Sequence, residues 1–177
     1  MLTADAQQFR ECVMSCEDVV ARLFEEARDD VYRYLVTLGL PAGQAQEATQ
    51  EVFLRLYATM KRGRRVENPR AWVFRVAHNH GLTVRGREGA MRAIDPEVHL
   101  NIADRGGGPE RDLLEWERRT RMAAAVETLS PQQRQCLHLR SEGFRYREIA
   151  AILGISDSSV AEFLKRAITR LRKAVDA

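Results

Sequence analysis

YREIAAILGISDSSVAEFLKRAITRLRK, running from Tyr146 to Lys173, holds two helical patterns separated by a single glycine. Ile149, Ala150, Leu153 and Ile155 supply a small, closely packed corner, and Gly154 permits the turn between the two helices. Stepping ~100° per residue from Val160, the side chains Leu164, Ala167, Ile168 and Leu171 fall within about 80° of it and form an inward stripe. Ser158, Ala161, Glu162, Lys165, Arg166 and Thr169 take the opposite face. That arrangement predicts a helix-turn-helix whose second helix meets a duplex, and the basic tail Arg170, Arg172 and Lys173 favours this over an ordinary solvated hairpin.

Outward from that motif the chain reads as helix almost throughout, because Ala, Leu, Arg, Glu and Gln dominate and β-branched alternation is scarce. Ser156 caps the last helix, Asp157 to about Val175, and Ser130-Pro131 opens an earlier one ending near Gly143. A helix from about Glu110 to Leu129 precedes it. In the N-terminal half, Val19, Val20, Leu23, Phe24, Ala27, Val31, Leu35 and Leu38 recur at helical spacing until Gly39 and Pro41. Further helices are expected from Ala42 to Met60, and from an Asn68 cap with Pro69 at the first position to about Arg87. Asp95-Pro96, Gly106-Gly107-Gly108 and Pro109 leave little to bury. The expected fold is all-α: two small helical domains, residues 1–88 and 110–177, joined by a flexible linker at 89–109. The C-terminal domain is a helix-turn-helix, winged-helix-like but with no wing.

Charge is distributed in blocks. The net charge is −5 over residues 1–60, +7 over 61–92, −3 over 93–130 and +4 over 131–177, within a total of +3. Two separate basic surfaces for a polyanion follow from that pattern. With 45% apolar residues in 177, a packed core is within reach. No apolar run approaches the roughly 18 residues of a membrane span, and the N-terminus carries no basic-then-apolar export signal. Three cysteines make no disulfide scaffold, so a cytoplasmic, reducing environment is expected. Cys12 and Cys16, four apart, lack further metal ligands nearby, and no HExxH, Walker loop or serine elbow is present. Neither a catalytic residue, a metal nor a cofactor is expected.

Two further faces carry candidate residues. On the helix from Ala42, Val52, Leu56 and Met60 point inward, whereas Leu54 lies about 200° from Val52 among Glu47, Gln50 and Tyr57, with Glu51 adjacent. An apolar side chain ringed by polar ones on an outer face suggests a protein partner. On the helix from Pro69, Val73, Ala77 and Val84 point inward. The other face collects Arg75, His78, Leu82 and Arg85, with Asn79 at its edge and Lys61, Arg62, Arg64 and Arg65 in the preceding loop. Arginines suit phosphates, and Asn or His can hydrogen-bond base edges. Trp72 reads as a core aromatic, with stacking on an unpaired base as the alternative, and His80 reads as a core histidine.

Taken together these stretches resemble the sigma factors of the extracytoplasmic-function (ECF) class of the sigma-70 family. Gln46 through Tyr57 (QEATQEVFLRLY) resembles region 2.2, and Asn68 through Asn79 (NPRAWVFRVAHN) resembles regions 2.3 and 2.4. Leu129-Ser130-Pro131 through Leu171 resembles region 4. The resemblance implies core RNA polymerase and promoter DNA as partners, with room for an anti-sigma factor. It implies polymerase contact through Glu47, Gln50, Glu51 and Leu54. Arg64, Arg65, Arg75, His78, Asn79 and Arg85 would then engage the −10 element. Arg145, Arg147, Ser158, Ser159, Glu162, Lys165 and Arg166 would engage the −35 element. Ala161, Glu162 and Phe163 stand where the family often has a basic, a small polar and a basic residue, which predicts few phosphate contacts there. The alternative is a response-regulator output domain, since Leu129 through Arg134 also resembles its start; residues 1–90 show none of the strands its receiver would need. An adaptor without DNA affinity is disfavoured by the basic block at 61–92.

Overall fold

A computed structural model of the chain describes residues 15–87 and 109–176. Cys12 and nearly all of the expected linker lie outside the described residues. Among those described, seven helices and no strand are present: α1 (Cys16–Thr37), α2 (Ala42–Lys61), α3 (Pro69–Arg87), α4 (Pro109–Glu127), α5 (Pro131–Ser141), α6 (Tyr146–Leu153) and α7 (Asp157–Asp176). Each matches its expected span to within about two residues, because the caps are encoded locally. Ser15 and Ser130 each accept from the backbone N–H three residues on, and the side chains of Asp18 and Gln133 reciprocate. The Asn68 Oδ1 accepts from the Ala71 N–H at 3.0 Å, and the Ser156 hydroxyl accepts from the Ser159 N–H at 3.1 Å.

Helices α1, α2 and α3 pack on one another, and α7 packs on α4, α5 and α6. Val31, Leu35, Val52, Leu56, Val73 and Ala77 fill the first unit, while Leu139, Ile149, Val160 and Leu164 fill the second. Gly154 closes the corner between α6 and α7 with φ 67, a left-handed conformation that costs a glycine little. Gly81 has a different reason to be glycine. A Cβ built there would lie 2.8 Å from the Cδ1 of the buried Leu38, so any side chain at this position must push that leucine aside.

The units also pack against each other, α1 on α5 and α3 on α6, and their buried residues form one continuous core. The structure corrects three expectations. His78 is not outward: it is buried at 5% exposure, with its Nδ1 2.9 Å from the Tyr34 hydroxyl. His80 is not a core residue; it is half-buried near the surface, its Nε2 3.9 Å from the Glu51 carboxylate. A single inward stripe was assumed for α3, but Phe144 of the C-terminal unit covers Phe74 on a second flank, and Tyr34 of α1 takes His78 inside. Ile168, assigned to the inward stripe of α7, is 41% exposed, because Ala167 alone meets the core at that turn.

Candidate polymerase and nucleic-acid interfaces

The outer face of α2 is built as a short polar rim around one apolar side chain. Leu54 is 66% exposed, and Glu47, Gln50 and Glu51 are exposed beside it. Glu51 pairs with Arg55 one turn on. Tyr57 ties this face to the start of α1, donating its hydroxyl to the Glu17 carboxylate at 3.0 Å while accepting from the Lys61 ammonium at 3.1 Å. The Cys16 thiol, the local backbone and then the Tyr57 hydroxyl hold the Glu17 carboxyl below its usual value, and the Lys61–Tyr57 bond raises the Lys61 ammonium. Lys61 is therefore drawn back along α2, whereas Arg64 and Arg65 stand exposed in the loop beyond it.

Of the charged and polar candidates on α3, Arg75, Asn79 and Arg85 are exposed, and Leu82 is exposed with them. Burial holds the His78 imidazole below its ordinary value, so it sits neutral against Tyr34, with no route to a base edge. The exposed candidates on this helix thus reduce to two arginines and one asparagine. Trp72 is half-buried and packs on the core, and Phe74 is wholly buried.

The last unit presents a third surface. Glu162, Lys165, Arg166, Thr169 and Arg170 from α7, with Gln133 from α5, line an open groove of about 310 Å³. Arg145 and Arg147 are exposed at the start of α6, and Ser158 and the half-buried Ser159 lie in the first turn of α7, both hydroxyls within 2.9 Å of the Ser156 hydroxyl. Glu162 accepts from the Arg166 Nε at 2.7 Å. The carboxylate expected to face the groove is thus engaged along its own helix, a surface bond worth about 0.2–0.5 kcal/mol.

Sequence reasoning missed the groups at the seam: Tyr34, Arg70, His138, Glu142 and Phe144. One signal was available. Phe144 is an apolar residue in a turn directly after Gly143, and an aromatic there must find cover elsewhere in the molecule.

A helix-turn-helix coupled to a three-helix unit that carries a basic ladder and an exposed apolar anchor defines a DNA-binding protein of transcription. Comparison with known proteins narrows the class. Residues 23–94 match the family described as Sigma-70 region 2, and residues 119–171 match Sigma-70, region 4. The chain is 23% identical to the ECF RNA polymerase sigma factor SigK of Mycobacterium ulcerans, over 90% of this chain and 87% of that protein. It is 29% identical to the ECF RNA polymerase sigma-E factor of Escherichia coli K12, over 80% of this chain and 77% of that one. In fold it is similar to the sigma factor RpoE of Bartonella quintana, solved in complex with the anti-sigma factor NepR, with TM-score 0.64, 21% identity and coverage of 89% and 96%. CnrH, solved with the cytosolic domain of CnrY, gives TM-score 0.56 at 20% identity, with coverage of 89% and 87%. The chain belongs to the sigma-70 family, in its ECF class. It binds core RNA polymerase and promoter DNA and directs transcription initiation. The response-regulator reading is not favoured. No described helix is long and apolar enough to cross a membrane.

Proposed function

We propose that the three surfaces divide the work of initiation as follows. Glu47, Gln50, Glu51 and Leu54 dock on core polymerase. Arg64, Arg65, Arg75, Asn79 and Arg85 engage the −10 element, with Asn79 contacting an exposed base. Arg145, Arg147, Ser158, Ser159, Glu162, Lys165 and Arg166 engage the −35 element. Residues 1–88 and 110–177 act as the two functional domains, with 89–109 as the connection. The protein works in the cytoplasm and carries out no catalysis of its own. The similar sigma factor RpoE was solved in complex with the anti-sigma factor NepR, which supports a partner of that kind here.

The observation that carries the reading is Leu54, the most exposed large apolar side chain among those described, set among acidic and amide neighbours. Water-exposed leucine contributes nothing to the fold, so its placement is best explained by a partner that covers it. Leu54→Asp is expected to weaken binding to core polymerase by about tenfold or more while far-UV circular dichroism stays unchanged. Unaltered affinity in a correctly folded variant removes the anchor from this face.

A further inference from the structure

We infer that Leu82 is a specificity-determining residue of the −10 face, reading the C5-methyl group of a thymine next to the base contacted by Asn79. The inference rests on the assignment of α3 to the −10 element made above. Leu82 is 45% exposed, within the block of net charge +7 at residues 61–92. Stepping ~100° per residue from Arg75, Asn79 falls about 40° to one side, Leu82 about 20° to the other and Gly86 about 20° back. The four positions form one line along α3, and in order they present a cation, an amide, an isobutyl group and no side chain at all.

The polar neighbours of this line are engaged elsewhere. The Thr83 hydroxyl donates to the Asn79 carbonyl oxygen at 2.9 Å, along its own helix. His78 is buried against Tyr34, and His80 leans toward the Glu51 carboxylate, its Nε2 3.9 Å away. Arg85 stands to the flank, its Nε 3.8 Å from where a Cβ on Gly39 would be, so its charge lies over the turn between α1 and α2. Leu82 remains exposed beside Asn79. Gly86, one turn further, has no atom within 4 Å of where its Cβ would stand. Packing therefore does not demand a glycine there, and glycine is a poor helix former. A bare backbone at the end of the line suits close approach of a second backbone.

Charge tells the two exposed leucines apart. Leu54 is ringed by Glu47, Gln50 and Glu51, which suits a protein, whereas Leu82 stands in line with Arg75 and Asn79, beyond the exposed Arg64 and Arg65 of the preceding loop. Those arginines hold phosphates, and a strand held there sets its bases against the line. Leu82 has neither donor nor acceptor, so it cannot choose among bases by hydrogen bonding. Thymine is the base whose major-groove edge carries an apolar group, its C5-methyl, and aliphatic contact with that methyl discriminates it from the others. The methyl is present whether the strand is paired or melted. Leu82 lies three residues, ~4.5 Å of helix axis, beyond Asn79. That step is comparable with the ~3.4 Å between successive bases of one strand, so the two side chains face neighbouring nucleotides.

The test uses the full chain with core polymerase and a promoter library randomised across the −10 region. Wild type is compared with Leu82→Ala, Leu82→Met, Asn79→Ala and Arg75→Ala, with far-UV circular dichroism to check the helices and titration to read polymerase affinity. The wild type is expected to prefer thymine at one position next to the base whose choice Asn79→Ala alters. Leu82→Ala is expected to lose that preference alone, and Leu82→Met to keep it. Deoxyuridine in place of that thymine removes only the methyl. It is expected to lower promoter binding by the wild type about fourfold, the worth of one buried methyl, and to leave Leu82→Ala unaffected. Unaltered base choice in Leu82→Ala, or equal wild-type binding to the thymine and deoxyuridine promoters, would overturn the inference. A loss of polymerase affinity in Leu82→Ala would overturn it too, by giving this leucine to a protein partner. Should Asn79→Ala and Arg75→Ala change neither promoter choice nor affinity, the assignment of α3 to the −10 element fails; altered choice in Asn79→Ala but not in Leu82→Ala sinks the leucine alone.

Discussion

His138 makes stability depend on pH in a way that the structure fixes in sign. Its ring is nearly enclosed at the seam by Tyr34 and Thr37, with Asp30 and Arg33 on α1 and Glu142 one turn along its own helix. Burial, reinforced by the Arg33 charge, pulls its imidazole down from the usual 6.5 to about 4. The folded chain therefore holds His138 neutral, while the unfolded chain takes up a proton as pH falls below 6.5, and stability drains away from there down to about pH 4. Between pH 7 and pH 5 this group alone removes about 2 kcal/mol. His78 is lowered by burial and acts with the same sign. Glu142 opposes both: burial, then Asp30, raises its carboxyl, so folding favours its protonated form and gains as pH falls toward the usual carboxylate value. The net loss in the wild type is accordingly the balance of His138 and His78 against Glu142. Urea unfolding followed by circular dichroism at pH 7, 6 and 5 measures it, with His138→Gln as the comparison. The variant is expected to lose about 2 kcal/mol less than the wild type across that interval. Identical pH slopes for the two proteins would refute a buried, neutral His138.

Three other outcomes follow from the same contacts. Asn79→Ala is expected to alter base preference at a single −10 position in promoter-library transcription, whereas Arg64→Ala weakens all promoters alike; equal losses everywhere would remove Asn79 from base reading. Glu162→Lys breaks a pair with Arg166 worth under ~0.5 kcal/mol, so thermal stability barely moves, while DNA affinity gains a steeper salt dependence. Gly81→Ala places a methyl 2.8 Å from Leu38 in a packed region, and overpacking of about 1–3 kcal/mol exceeds the roughly 1 kcal/mol gained in helix propensity. Denaturant titration showing a stabilised Gly81→Ala variant would mean that the Leu38 side chain yields to the added methyl instead of being held by its packing.

Helix limits were legible in the sequence because Ser130, Asn68, Ser156 and Gly154 act on backbone within a few residues of themselves. The exposed Leu54 was legible for the same reason: α2 is covered on one side, so helical periodicity alone assigns its faces. Periodicity failed on α3, where Phe74 meets Phe144 from beyond residue 130 and His78 turns onto Tyr34 of α1. No local pattern announces such a contact. Arg70 was similarly hidden, since a lone arginine in a basic block looks like any phosphate ligand until Glu142 and Asp30 arrive beside it. Glu162 was placed correctly on the outer face, but its partner one turn on claims the carboxylate in the DNA-free chain.

Cys136 gives the seam a chronometer. Its thiol is wholly buried on α5 and close enough to Tyr34 to perturb it, and burial pushes the thiol up to about 11. A protonated, enclosed sulfur is inert to alkylating reagents, which attack thiolates. Its labelling therefore waits for moments when α5 lifts from α1 or the second unit unfolds, and the alkylation half-life becomes a direct count of how often that happens. Urea-free labelling at several reagent concentrations separates rare openings, whose rate saturates, from a rapid pre-equilibrium, whose rate does not.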